Sequence, residues 1–210
     1  MLGIIIRDIS LMFSSRQMIL FMVLYVPFLL YMFGSSASEQ LYLMIIVLYT
    51  YMMSLMSFSF DITGKSRYII NSLPIKRGKI VIYKYLSVFV YFAVTIVFAG
   101  IYLWIINILN IANVDYFNLR SIIIGIPTVM ISTAIVFPAY FRFEARIAQI
   151  IHFIVFLTSF TLFGNAAFAG DKGILKYLSF IKLEHVMVAA LVLYILSLIL
   201  SVVLYKNRDL

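Results

Sequence analysis

The chain has 210 residues, 65% of them hydrophobic and only 11% charged, with a mean hydropathy of +1.11. That is too little charged surface for a water-soluble domain, so the chain reads as an integral membrane protein. The net charge of +8 sits beside apolar runs, where topology and anionic lipid account for it without nucleic acid, and the absence of cysteine excludes disulfides, thiol catalysis and thiolate metal sites.

A bilayer core about 30 Å thick needs roughly 20 apolar residues per helix, and runs of that order recur along the chain. Alternating strand-length patterns are absent, which disfavours a β-barrel. Residues 2–14 are too short to span. Gly3, Arg7, Ser10 and Ser14 fall on one helical face opposite a broad apolar side, the pattern of an interfacial helix, with Asp8 off the polar stripe. Six spans are expected at about 17–33, 41–60, 85–109, 121–141, 147–168 and 186–205, all within one transmembrane domain covering residues 1–210. Pro27 is expected to kink the first, and Pro127 and Pro138 the fourth. A cleaved signal peptide at the first span is disfavoured, because the charged region before it is long and five runs follow. Residues 169–185 read as a short amphipathic helix on the outer surface. With both termini inside, the inner segments hold twelve Lys and Arg residues against four outside, as the positive-inside rule requires.

Intrinsic energy sources are hard to find. The expected spans contain no Asp, Glu, Lys or Arg away from their ends, which disfavours a transporter coupled to an ion gradient. His152 reads as a proton relay or, more commonly for a lone histidine near a helix start, as a structural residue. His152 and Asn165 make a poor catalytic cluster, and neither H-E-x-x-H nor G-x-S-x-G occurs. Residues 59–66, SFDITGKS, end like a phosphate-binding loop but carry Ser59 where that loop needs glycine, and they follow a membrane helix rather than a strand. The chain is therefore not expected to be an enzyme, to bind a cofactor or to hold a metal.

Between the second and third apolar runs lies the longest polar interruption, residues 61–84, DITGKSRYIINSLPIKRGKIVIYK. It carries Lys65, Arg67, Lys76, Arg77, Lys79 and Lys84 against the single acid Asp61. Pro74 disfavours helical geometry at Leu73, so a short helix can end there before the next begins near Lys76, with Pro74 as a hinge. The run from Asp61 through Ser72-Leu73-Pro74-Ile75-Lys76-Arg77 to Lys84-Tyr85-Leu86 resembles the coupling segment of ABC-2 type permeases of ABC transporters. The resemblance is specific over about twenty-five residues and extends in outline along the chain.

It implies an all-α polytopic fold of six transmembrane helices, with an N-terminal interfacial helix and a cytoplasmic coupling helix between spans two and three. It implies a separate cytoplasmic ATPase subunit that carries the ATP and contacts Asp61, Lys65, Arg67, Tyr68 and Ile69, and a second permease chain in a homo- or heterodimer. The place implied is a bacterial plasma membrane, with membrane lipid around the spans and both termini cytoplasmic. Small permeases of this kind export peptides, so amphipathic peptide export is the leading expectation. The alternative is a non-transporting scaffold or immunity protein that sequesters a peptide or assembles with a sensor.

Overall fold

The structure, a computed structural model, describes residues 2–33, 38–62, 76–112, 114, 116–169 and 182–207. These form seven helices: α1 (Leu2–Ser14), α2 (Arg16–Phe33), α3 (Ser38–Ile62), α4 (Arg77–Ile108), α5 (Leu119–Arg142), α6 (Ala145–Ala169) and α7 (Leu183–Lys206). Helices are the natural outcome of this composition, because in lipid the backbone must satisfy its own hydrogen bonds. The hydroxyl-bearing residues follow the same rule. Thr50, Ser54, Thr128, Ser132 and Thr133 each donate to a carbonyl one turn earlier in their own helix.

The fold is an up-and-down bundle around α3. Of the most apolar 18 residues within Gln40–Asp61, 83% are buried within the protein, against 22% of those within Leu183–Lys206 in α7. Neighbours α1, α2, α4, α5 and α6 all pack on α3, while α7 lies across α5 and α4. Paired contacts set the directions. Thr50 meets Thr95 and Ser57 meets Lys84, so α3 and α4 are antiparallel; Tyr85 meets Ser201 and Phe89 meets Tyr194, so α4 and α7 are antiparallel too.

The expectation of six spans is corrected here. Among the described residues, four helices are long and apolar enough to cross a bilayer: Gln40–Asp61, Arg77–Ile108, Leu119–Arg142 and Leu183–Lys206. The run expected as the first span passes that test only together with α1, and the pair is bent by 73° at Ser15, so counting it as one broken span gives five. The run expected as the fifth span is not among the four either: among the described side chains the apolar stretch of α6 is Arg146–Thr161. Apolar composition alone misjudged the first, because the pair is broken at Ser15. The polar segment from 63 to 75 and the expected outer helix between 170 and 181 lie outside the described residues.

Two of the proline kinks show how the bundle is stitched. A proline inside a helix leaves the carbonyl four residues earlier without its helical donor. For Pro27 that carbonyl belongs to Val23, and it accepts from the Tyr102 hydroxyl on α4 at 2.9 Å. For Pro138 it belongs to Ala134, and it accepts from Ser197 Oγ on α7 at 2.6 Å. Because Ser197 spends its proton on Ala134, the Tyr85 hydroxyl donates to Ser197, and Ser201 in turn donates to Tyr85. Tyr49 also donates to the Met22 carbonyl beside the Pro27 kink.

Close packing limits what the bundle tolerates. A Cβ on Gly125 would meet Ile46 Cδ1 at 3.1 Å and the Phe92 ring at 3.3 Å, whereas one on Gly78 would find only ordinary contacts at 3.6 and 3.7 Å. Gly125→Val is therefore expected to lose about 1–3 kcal/mol by overpacking. Gly78→Ala should gain up to about 1 kcal/mol from helix propensity. Thermal midpoints in detergent check both signs, and a Gly125→Val midpoint at or above wild type would refute the close α3–α4–α5 junction.

Candidate functional site

Four charged side chains close into a ring where α3 ends and α4 begins. Arg7 Nη2 lies 2.6 Å from Asp8 Oδ1 and 2.6 Å from Asp61 Oδ1. Lys84 Nζ lies 3.0 Å from Asp8 Oδ2 and 2.5 Å from Asp61 Oδ2. Each cation thus bridges both acids and each acid bridges both cations, for a net charge of zero. The ring is graded in depth: the Asp8 and Lys84 side chains are 1% and 4% exposed, Asp61 and Arg7 17% and 35%.

Helix geometry on three elements assembles the ring. On α3, Ser57 and Asp61 are four residues apart and share a face, and Phe58 sits beside Ser57. On α4, Lys84 and Tyr91 are seven apart and share a face as well. Lys84 donates to the Ser57 carbonyl at 3.0 Å and to the Ser57 hydroxyl, which passes its own proton to Asp8 Oδ2 at 2.5 Å. The Tyr91 hydroxyl reaches the same Asp8 oxygen at 3.4 Å, and the Phe58 ring lies 5.3 Å from Lys84 Nζ. Burial by itself would push the Asp8 carboxyl up. The Lys84 ammonium, the Ser57 hydroxyl and the Arg7 guanidinium outweigh it and hold the carboxyl below its usual range.

The sequence-predicted partner-facing residues divide in two. Asp61 is the ring member at the end of α3, its carboxylate turned to Arg7 and Lys84. Lys65, Arg67, Tyr68, Ile69 and the hinge Pro74 lie outside the described residues. Beyond them, Lys76, Arg77 and Lys79 are exposed at the start of α4, and Arg77 Nη1 reaches the Lys206 carbonyl at the end of α7 at 3.4 Å. Asp8, Lys84, Ser57 and Tyr91 were missed as a group. Lys84 had been placed at a span boundary, but α4 starts at Arg77 and holds it two turns inside. One signal was present in the sequence: Asp8 departs from the polar stripe of α1 because it faces the bundle.

Elsewhere, His152 Nδ1 pairs with the Tyr51 hydroxyl at 2.9 Å, joining α6 to α3, and the two rings stand 5.3 Å apart. Among the described residues, no group of three or more His, Asp or Glu side chains could hold a metal ion.

Removing one partner of a buried ion pair strands the other. Lys84→Met is expected to cost about 3–5 kcal/mol, because it leaves two carboxylates to share the one Arg7 guanidinium, with Asp8 deeply buried. Asp8→Asn combined with Lys84→Met should cost less than the two changes summed, a coupling that a double-mutant cycle of detergent unfolding measures. Strict additivity would show that the ring does not bind α1 to α4.

The ring is a joint rather than a reaction centre: its groups neutralise one another and bond to one another across three helices. It joins the N-terminal helix to both flanks of the polar segment in a multi-pass all-α membrane protein. Comparison with known proteins agrees with a transport role. The family model described as ABC-2 family transporter protein matches residues 3–206, nearly the whole chain. No curated protein and no solved structure matches it. The chain belongs to the ABC-2 family of transporter proteins, as a membrane permease.

Proposed function

We propose that the chain is the permease subunit of an ATP-driven exporter and that its cargo is an amphipathic peptide. ATP is bound and hydrolysed on a separate cytoplasmic subunit, which docks on residues 61–84 through Lys65, Arg67, Tyr68 and Ile69. Pro74 is the hinge between the docked segment and α4. Two permease chains, identical or related, form the path in a bacterial plasma membrane, with both termini on the ATPase side.

The observation that carries this reading is the ion ring. Asp61 stands at the entrance of the polar segment and Lys84 two turns past its exit, and both are bonded to the same helix α1. A force applied to the segment therefore reaches the central helix α3 and the 32-residue helix α4 together, with α1 as the brace. At 1.5 Å per residue α4 extends about 48 Å, longer than a bilayer core, so it can carry a displacement from the membrane surface through to the far side. Family membership supplies the transport role, and Lys76, Arg77 and Lys79, exposed at the start of α4, together with Lys65 and Arg67 before them in the sequence, supply positive charge for an acidic partner groove.

Mild-detergent purification of the tagged chain from its native membrane is expected to retain a stoichiometric nucleotide-binding subunit. Lys65→Glu together with Arg67→Glu should release that subunit while leaving membrane insertion and the thermal midpoint unchanged. Vesicles containing both subunits should then take up a labelled cationic amphipathic peptide only with ATP. Purification without any ATPase, even after crosslinking, would sink the exporter reading. Uptake of an ion or polysaccharide but never a peptide would leave the exporter and remove the cargo.

A further inference from the structure

Beside the Pro27 kink, a cavity of about 830 Å³ opens between α2 and the far end of α4. Its walls include Pro27, Leu30 and Tyr31 from α2, and Tyr102, Ile106 and Asn110 from α4 and the turn after it. The volume lies in the range of sites that hold a bound organic molecule. Tyr102, Ile106 and Asn110 are spaced four residues apart, so the cavity follows α4 for about 12 Å. None of the described residues that line it is charged. One end is polar, because Asn110 sits beyond the last helical turn at φ 52° and Tyr31 presents an exposed hydroxyl.

Two features identify what can enter. First, α2 and α4 both turn apolar side chains outward around this region, Phe28 on one and Ile101, Trp104 and Ile108 on the other, so the crevice continues a surface that meets acyl chains. Second, away from the Tyr31 and Asn110 end, Pro27, Leu30, Ile106 and Leu109 offer no polar side chain to a guest. The Tyr102 hydroxyl already donates to the Val23 carbonyl that Pro27 leaves open. A peptide segment would bring N–H and C=O groups that find few partners there, whereas an acyl chain has none to satisfy.

We propose that this crevice is a lateral binding site for one acyl chain of a membrane lipid. The chain lies along Leu30 and Ile106, and the lipid's ester and head group rest at the Tyr31 and Asn110 end. The Tyr102–Val23 hydrogen bond holds α2 in the kinked shape that keeps the crevice open. This site goes beyond the exporter reading and stands without it, since its occupancy requires neither ATPase nor cargo.

The test uses the full chain in phosphatidylglycerol nanodiscs doped with a phosphatidylglycerol bearing a diazirine near the end of one acyl chain. After irradiation, peptide mass spectrometry is expected to find label on Ile106, which is 6% exposed and shielded from bulk lipid on its outer side. Ala112→Trp and, separately, Leu30→Trp fill the crevice and should each abolish the Ile106 label. Label on the outward-facing Ile199 and Leu200 of α7 should persist and reports that each variant is folded. If one variant misfolds, the other carries the comparison. Wild-type label confined to outward residues, or Ile106 label that survives both tryptophans, overturns the proposal. Displacement of the Ile106 label by an excess of a synthetic cationic amphipathic peptide also overturns it, and assigns the crevice to peptide instead.

Discussion

The constraint on which this protein turns is the cost of removing charge from water. Asp8 and Lys84 are almost wholly enclosed by protein, and neither could be ionised there alone. They are accommodated because Arg7 and Asp61 complete a neutral ring and because Ser57 and Tyr91 supply hydroxyls to the remaining sites. Each member is needed by two others, so the ring has one favourable arrangement, and that arrangement fixes α1 across the junction of α3 and α4. Surface ion pairs between the same residue types would contribute little and would specify nothing. Depth makes this set a structural joint, and the same depth makes it exacting.

Backbone hydrogen bonding imposes a second constraint of the same kind. Inside lipid a free carbonyl is expensive, yet prolines in α2 and α5 create them. The bundle answers with hydroxyls borrowed from neighbours, Tyr102 for Val23 and Ser197 for Ala134. A kink that would loosen an isolated helix thus becomes a tie between helices. Tyr49, Tyr85, Tyr102, Ser197 and Ser201 are ties of this kind between helices.

How much was legible in the sequence follows from these two constraints. The apolar runs were readable, because lipid demands them of any segment at that depth, and helices occupy each run. The number of crossings was not, because the break at Ser15 concerns continuity, which composition does not record. The prolines announced their kinks, but the donors that answer them lie 79 and 63 residues away. The ring was hidden for a related reason. Lys84 and Asp61 read as ordinary boundary charges until three separate segments meet, and only the misplaced Asp8 hinted that one face of α1 was not facing water.

The pairing of Asp8 with Lys84 also orders events in time. The two residues are 76 apart, so a ribosome working at about 5–20 residues per second makes Asp8 roughly 4–15 s before its partner. During that interval the nascent α1 carries a carboxylate with no buried place to go, and it must wait in water or among lipid head groups. Insertion of α4 delivers the ammonium and allows α1 to dock. Helix α1, made before α4, is in this way seated only after it, and a translocation fault in α4 would leave α1 loose.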